Sequence, residues 1–253
     1  MTRMVEMAAG RWAHASGALW LAASGTLLIA DAHLGYGWAM RRRGQLGPVH
    51  DEEAVRKLRE VVSEMQPRHV VFLGDLVHAP RPSPAEFALL NGALEWLIAR
   101  ARVTLVEGNH DRGFRRDFGH LAMDVCREWT DGQLRAIHGD RAGADTAIRH
   151  TVAGHFHPSL SLRDAAGANH LLPVFLYDEA ASVMPAFSPF AAGGDIRRGV
   201  PETMVALFSG TGVGVVAASG KQAKALRRFR LTASAHAQGD AHTWAPKNRR
   251  RLG

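Results

Sequence analysis

Cysteine is nearly missing from this chain, with Cys126 the single one in 253 residues. No internal disulfide can form, which excludes a secreted disulfide scaffold and makes a reducing, cytoplasmic compartment the expectation. Long apolar runs are missing too. The one long uncharged apolar run, residues 18–30, falls well short of the roughly 20 residues that span a bilayer. Arg3 and Arg11 before it and Ala30-Asp31-Ala32 at its end imitate a secretory signal, but Ser24-Gly25 interrupts it as a hairpin turn would. No membrane partner is expected. Lysine is scarce, four residues against 27 arginines. Hydrophobic residues at 46% and charged residues at 22% are nevertheless a globular composition, which excludes a mainly disordered chain.

The net charge of +7 is unevenly spread. Residues 221–253 hold nine Lys/Arg and one acid, so they carry +8, and residues 1–220 carry −1. The chain therefore divides into a body, residues 1–220, long enough for a sizeable core, and a basic C-terminal tail, residues 221–253. From Ala233 the tail has no apolar periodicity and is expected to be flexible. Its arginines serve either non-specific nucleic-acid affinity or solubility.

Short apolar runs punctuate the body at residues 26–30, 70–73, 103–106, 134–137 and 148–153. Their length, β-branched content and flanking glycines predict buried strands. Between them, residues 51–65 place Ala54, Val55, Leu58, Val61, Val62 and Met65 on one helical face, with three acids in the first turn. Residues 83–102 read as a second helix, capped by Ser83 with Pro84 in its first turn. Alternation of strand and helix predicts parallel α/β units. Beyond residue 148 the pattern shifts to strands at 170–177, 204–209 and 214–218, with a loop over 185–195.

The chemistry lies just past the end of each run. Asp31-Ala-His33 comes after the first, Gly74-Asp75 after the second and Gly108-Asn-His-Asp111 after the third. His138-Gly-Asp140 and Gly154-His-Phe-His157 come after the fourth and fifth. Sites in open α/β sheets form at the carboxyl ends of strands, so these clusters can share one crevice. Asp31 and His33, like His155 and His157, stand two apart, which predicts that each pair points to one side of an extended segment. Carboxylates, imidazoles and a carboxamide suit Mn, Fe or Zn rather than a thiolate site. Seven such groups, Asp31, His33, Asp75, Asn109, His138, His155 and His157, exceed the needs of one ion. They suit two ions sharing a carboxylate, an arrangement that clamps the attacking and leaving oxygens in phosphoryl transfer. By composition D-x-H is expected about 0.7 times, whereas Gly-Asn-His-Asp is expected about 0.001 times, so the four-residue cluster discriminates.

This ordered set resembles the calcineurin-like metallophosphoesterases. The resemblance implies an α/β fold, a four-layer α/β/β/α sandwich with a dimetal site at the carboxyl ends of the strands. It implies that Asp31, His33 and His157 hold one divalent ion and that Asn109, His138 and His155 hold the other, with Asp75 bridging. His110 would protonate the leaving oxygen, oriented by Asp111, while a metal-bridging hydroxide attacks phosphorus. The ions would be Mn, with Fe or Zn as alternatives. The fourth motif departs from the family, reading His138-Gly-Asp140 where many relatives have H-G-H.

Further motifs are Asp31-Ala-His-Leu-Gly-Tyr-Gly37, Arg41-Arg-Arg-Gly44, Gly74-Asp-Leu-Val-His78, and Pro185-Ala-Phe187 with Gly193-Gly194. They are similar to the PdeM-like, ligase-associated DNA-repair phosphoesterases, a group related to the SbcD-type nucleases. That likeness implies a phosphodiesterase acting as an endonuclease on single-stranded DNA, with DNA ligase or helicase partners. It leaves the oligomeric state open, a dimer being one option.

Arg41, Arg42 and Arg43 lie behind Tyr36 and Trp38 in the loop after the first ligands and are expected to touch substrate phosphates. His78, after Asp75, and Arg112, after His110, are further substrate-binding candidates. Two bound dications would take the body from −1 to about +3, so an acid-rich site is no obstacle to a polyanion. The alternatives are the same chemistry on a small phosphoester or nucleotide, and a non-catalytic binding module. The complete donor set argues against the latter.

Overall fold

The computed structural model describes residues 2–45, 51–78, 81–141, 149–164, 166–191 and 193–234. The end of the loop after Tyr36, the start of the expected strand at 148, and the tail from residue 235 lie outside these. An antiparallel meander comes first: β1 (Met4–Ala8), β2 (Arg11–His14), β3 (Leu19–Leu21) and β4 (Thr26–Ile29). The turn between β3 and β4 closes through Gly25 at φ +66°. There follow α1 (Tyr36–Arg42), α2 (Asp51–Met65), β5 (His69–Leu73), α3 (Pro84–Ile98) and β6 (Arg102–Val106). A one-turn helix (Asp111–Gly113), α4 (Phe114–Phe118) and β7 (Asp124–Cys126) complete the first half. Strands β4 to β7 pair in parallel and in sequence, so the first sheet runs in order from β1 to β7.

The second sheet contains β8 (Trp129–Asp131), β9 (Leu134–Ile137), β10 (His150–Ala153), β11 (Pro158–Arg163), β12 (Asn169–Tyr177) and β13 (Ala181–Val183). Beyond these lie β14 (Gly194–Asp195), α5 (Glu202–Val205), β15 (Gly212–Ala218), β16 (Ala223–Ala225) and β17 (Phe229–Arg230). Its centre, β9–β10–β13, is parallel, and β12 runs antiparallel to β11, β13 and β15.

Strands buried on both faces need apolar residues at every position, and that is why the central runs are continuous rather than alternating. Leu27, Ile29, Val70, Phe72, Val103 and Leu105 face α2 and α3, where Leu58, Val62, Leu90, Leu94 and Leu97 cover them. Their neighbours Leu28, Val71, Leu73 and Val106 face the other way and meet Ala136, Val152, Phe175 and Val216 of the second sheet. The outer face of the second sheet, including Val174, Leu176 and Val215, is covered by Ile196, Val200, Met204 and Phe208. The four expected layers are thus present in an α/β protein, with the last one thin: a one-turn helix (Ile196–Arg198) and α5.

Three expectations need correction. Residues 204–209 are not a strand: α5 ends at Val205, tight turns follow, and Met204 and Phe208 both pack down into the core. The second helix stops at Ile98, and Arg102 already belongs to β6, its amide donating to the Arg68 carbonyl at 3.1 Å. The start of the basic tail is part of the fold. β16 and β17 pair with β15, and Leu231 is buried, because the edge of β15 offers unpaired backbone groups that this stretch satisfies.

At the start of β10, far along the strand from the ligand clusters, His150 is buried between the Glu179 carbonyl (3.0 Å) and Ser182 Oγ (2.9 Å). Burial lowers its pKa to about 4. The folded chain therefore holds it neutral, and the unfolded chain protonates it first as pH falls. Stability from this group is complete above about pH 6.5 and is lost on acidification toward about 4, up to roughly 3 kcal/mol. Denaturant titrations between pH 7 and 4 should show wild type losing more stability than His150→Gln. Parallel curves for the two proteins would contradict the assignment.

Candidate dimetal active site

Five strand ends meet at one edge of the sandwich. β4, β5 and β6 deliver Asp31 and His33, Asp75, and Asn109 with His110, while β9 and β10 deliver His138, His155 and His157. Hydrogen bonds tie the two sheets together there. The His155 amide donates to Asp31 Oδ2 (2.8 Å), and His138 Nδ1 donates to the Leu73 carbonyl (2.9 Å). Glycine permits this approach: a Cβ on Gly74 would collide with His138 Nδ1, and one on Gly108 would collide with Asp75 Oδ1.

The backbone at the ligands is unusual. Asp31 (φ +53°), His33 (+42°), Asp75 (+49°), His155 (+67°) and His157 (+45°) are all left-handed. Among the described non-glycine residues only Gln66 and Arg81 share that region. Asp31 and His33, and likewise His155 and His157, therefore do not converge by alternating along an extended segment, as their spacing suggested. They converge because the chain curls sharply at each ligand, at a cost on the order of 1 kcal/mol apiece.

Among the described residues, three groups of donor atoms lie within 4.8 Å of one another: Asp31, His33 and His157; Asp75, His138 and His155; and His33, His78 and His110. Asp75 stands between the first two, with Oδ2 at 3.8 Å from His33 Nε2 and Oδ1 at 3.5 Å from His138 Nε2. His138 donates Nδ1–H to a carbonyl, so its Nε2 presents a lone pair. Facing that atom are Asn109 Oδ1 at 3.1 Å and His155 Nδ1 at 3.2 Å, besides Asp75 Oδ1. Acceptors repel one another at such distances unless protons or a cation stand between them, so the donor set fits a divalent ion.

The electrostatics agree. Burial alone would raise the Asp31 carboxyl, but His157, His138 and His155 outweigh it and hold the pKa below the usual range. For His138 burial pulls downward, and the carboxylates of Asp31 and Asp75 raise it in spite of that. His155 is lowered by burial and by His138. Asp140, the departure in the fourth motif, adds to the negative charge acting on His138 and is itself near Arg141 (3.5 Å).

His110 lies beside this cluster, half-buried, with Nε2 at 4.0 Å from Asp75 Oδ2. Its orientation comes from the His78 carbonyl, which accepts from Nδ1 at 2.7 Å, and its amide donates to Asp75 Oδ1. The expected orienting partner, Asp111, has another task. Its buried carboxylate accepts from the amides of Leu76 (3.0 Å), Val77 (3.3 Å) and Gly108 (3.0 Å), so it joins the loop after β5 to the loop after β6. Burial and the nearby Asp75 push its pKa up to about 7. His78 is buried at the site, its Nδ1 at 3.1 Å from His33 Nδ1 and its ring stacked on that of His110.

Arg41 and Arg42 end α1 rather than standing in a loop as expected, and both are structural. Arg41 bonds Asp51 Oδ2 (3.0 Å), and Asp51 accepts from the amides of Gly37 and Trp38 at the start of α1. Arg42 bonds the fully buried Glu86 (2.7 Å), which also closes the capping box of α3 with Ser83. Arg43 and Arg112 are exposed. Reading the sequence missed Asp51 and Glu86 as partners, since their visible signals were a helix-start acid and a capping box. It also missed Ser188, whose amide holds the Asp31 carbonyl (3.1 Å), and Phe190, whose ring lies 6.3 Å from Tyr36.

Residues 26–177 match the family model of the calcineurin-like phosphoesterases. The chain belongs to that family. It is accordingly a metal-dependent phosphoesterase. Among solved structures the fold of this phosphoesterase is similar to that of the nuclease MPE from Pseudomonas putida. That alignment covers 89% of this chain and 100% of that one, with TM-score 0.67 and 24% identity. Zinc-bound Vps29 from Entamoeba histolytica aligns over 82% of this chain and 99% of that one, at TM-score 0.32 and 11% identity. No curated protein matches the chain.

Two substitutions test the site's construction. Gly108→Ala forces a methyl group against Asp75 and should reduce both bound metal and diester hydrolysis, the latter roughly 100-fold. Metal analysis by mass spectrometry alongside hydrolysis rates checks this; wild-type metal content would refute it. Arg42→Ala strands a buried carboxylate and should cost about 2 kcal/mol in thermal or denaturant unfolding. Arg43→Ala should change stability by less than about 0.5 kcal/mol.

Proposed function

We propose that this phosphoesterase is a two-metal phosphodiesterase that cuts single-stranded DNA internally, with Mn as its preferred ion and a role in cytoplasmic DNA repair. The observation that carries the chemistry is Asp75: one carboxylate oxygen faces each of two donor clusters, with His110 alongside. In this reading Asp31, His33 and His157 hold one ion and Asn109, His138 and His155 the other, with Asp75 shared. Bound dications lower the pKa of coordinated water and neutralise charge on phosphoryl oxygens, so no protein nucleophile is needed.

The protein's own groups do the rest. His110 Nδ1 is anchored on the His78 carbonyl, which leaves Nε2 to hold the proton that the departing oxygen takes. His78 serves this site by its carbonyl and by its contact with His33, so it acts on the machinery more than on substrate. Asp111 keeps the two loops in register. Arg41 and Arg42 are committed to Asp51 and Glu86, so Arg43 and Arg112 are the members of the arginine set left to contact phosphates. Choice of a DNA strand is supported by the PdeM-like motifs and by a shared fold with a nuclease. A DNA ligase or helicase as partner follows from the same likeness.

Circular single-stranded DNA has no ends, so it separates internal from terminal cleavage. Mn-supplemented protein should linearise the circle, and His110→Asn prepared in parallel should not. An intact circle together with hydrolysis of small diesters would move the assignment to small phosphoesters or nucleotides. His110→Asn should also lose about 100-fold or more on an alkyl diester and much less on a nitrophenyl diester, whose leaving group needs no proton. Equal losses on both substrates would remove His110 as the acid.

A further inference from the structure

A cleft of about 840 Å³ opens beside the site, and none of the candidate metal ligands lines it. Strand direction puts it on the same edge of the sandwich as the ligands. Its walls include Ala15 and Ser16 in the turn between β2 and β3, and that turn lies level with the end of β4, since Leu19 pairs with Leu28. They also include Leu171–Pro173 near the start of β12 and Ser219–Lys221 just past the end of β15. Both flank the parallel centre of the second sheet at its carboxyl-end edge, because β12 runs against β13 and β15 runs against β12.

One wall is shared with the catalytic site. Ser188 lines the cleft, and its amide holds the Asp31 carbonyl. Phe190 lines it too, while its ring faces Tyr36, which in turn lies 4.6 Å from His78. The cleft and the donor clusters are therefore two sides of one short segment.

Its chemistry is that of a polyanion with flat apolar groups. Arg3, Arg56, Lys57 and Lys221 line it against Glu53 and Glu60, an excess of cations. Arg56 is tied to Glu60 only by a surface pair in which both side chains are more than half exposed, which holds the guanidinium weakly. Phe190, Pro189, Pro173 and Leu171, the last 39% exposed, offer surfaces on which bases can stack. Lys57 forms the floor, its ammonium on the Phe187 carbonyl (2.6 Å) and over the Phe187 ring.

We infer that this cleft holds the nucleotides flanking the scissile phosphate, so that a single strand passes from the donor clusters over Phe190 and lays its phosphates along Arg56 and Lys221. The inference rests on the proposed nucleic-acid function and names the path the strand takes.

The test is the charge-reversed pair Arg56→Glu/Lys221→Glu. Binding of a fluorescent single-stranded oligonucleotide is measured in a His110→Asn background, so that the strand is not cut. The pair should weaken binding at least about tenfold at low salt and reduce the slope of log Kd against log salt by about 1.4, two phosphate contacts on a single strand. Hydrolysis of bis(p-nitrophenyl) phosphate by the same pair with His110 intact should stay within about twofold of wild type, since neither residue touches the donor clusters. Unchanged affinity and slope would overturn the inference while leaving the nucleic-acid reading standing. Wild type that hydrolyses the diester yet binds no single strand would overturn both. Should charge reversal lower the thermal midpoint, Arg56→Gln/Lys221→Gln reads the same slope without the added acids.

Discussion

Lone-pair donors crowded into a dry junction between two sheets are the constraint on which the rest of this structure depends. Asp31, His33, Asp75, His138 and His157 are each exposed by 3% or less, so water cannot screen their mutual repulsion. Without positive charge among them, the carboxylates and the imidazole nitrogens would favour separation. Protons on the imidazoles relieve part of this, as the raised pKa of His138 indicates, and a pair of dications relieves far more. The same positive charge would offset the influence of Asp75 on Asp111, favouring the carboxylate that bonds three amides.

Holding such a cluster before metal arrives requires backbone that does not relax. Five candidate ligands adopt left-handed conformations, together costing on the order of 5 kcal/mol, which is comparable with the lower end of a domain's net stability. The supports are accordingly stiff. Phe187 and Ser188 donate to the carbonyls of Ala30 and Asp31, and Lys57, buried and lowered to about 8 by desolvation, pins the Phe187 carbonyl in turn. On the other side Asp51 and Glu86 fix α1 through Arg41 and Arg42. Below all of this lie three apolar layers that keep the strand ends in register.

That rigidity has a functional corollary. Phosphoryl transfer asks the protein chiefly for position and charge, and both are present before substrate binds. Loops that a substrate meets are less committed. The segment bearing Ser188 and Phe190 touches the Asp31 backbone on one face and an open, cation-lined cleft on the other, so one stretch of chain can serve metal placement and substrate path together.

The donor set and the central strands were legible in the order of the sequence because both depend on local chemistry. An apolar run long enough for one buried strand, then a candidate ligand, recurs along the first 157 residues, with glycine just before the ligand at Asp75, Asn109 and His155. The glycines are legible for the same reason, since the backbone must approach within a Cβ radius of a neighbouring ligand. What the sequence could not reveal was partnership across distance. Arg41 and Arg42 looked like phosphate contacts because Asp51 and Glu86 lie 10 and 44 residues away. Asp111 looked like the orienter of the adjacent His110, yet its carboxylate bonds amides 34 and 35 residues back. Lys221 looked like the start of a tail until β15 carried it to the ligand edge. The sequence by itself determined which groups were available for catalysis, through runs and motifs that act over a few residues. Only the tertiary structure decided which charges were already satisfied and which remained for a substrate, because that depends on the strands and helices that meet in space.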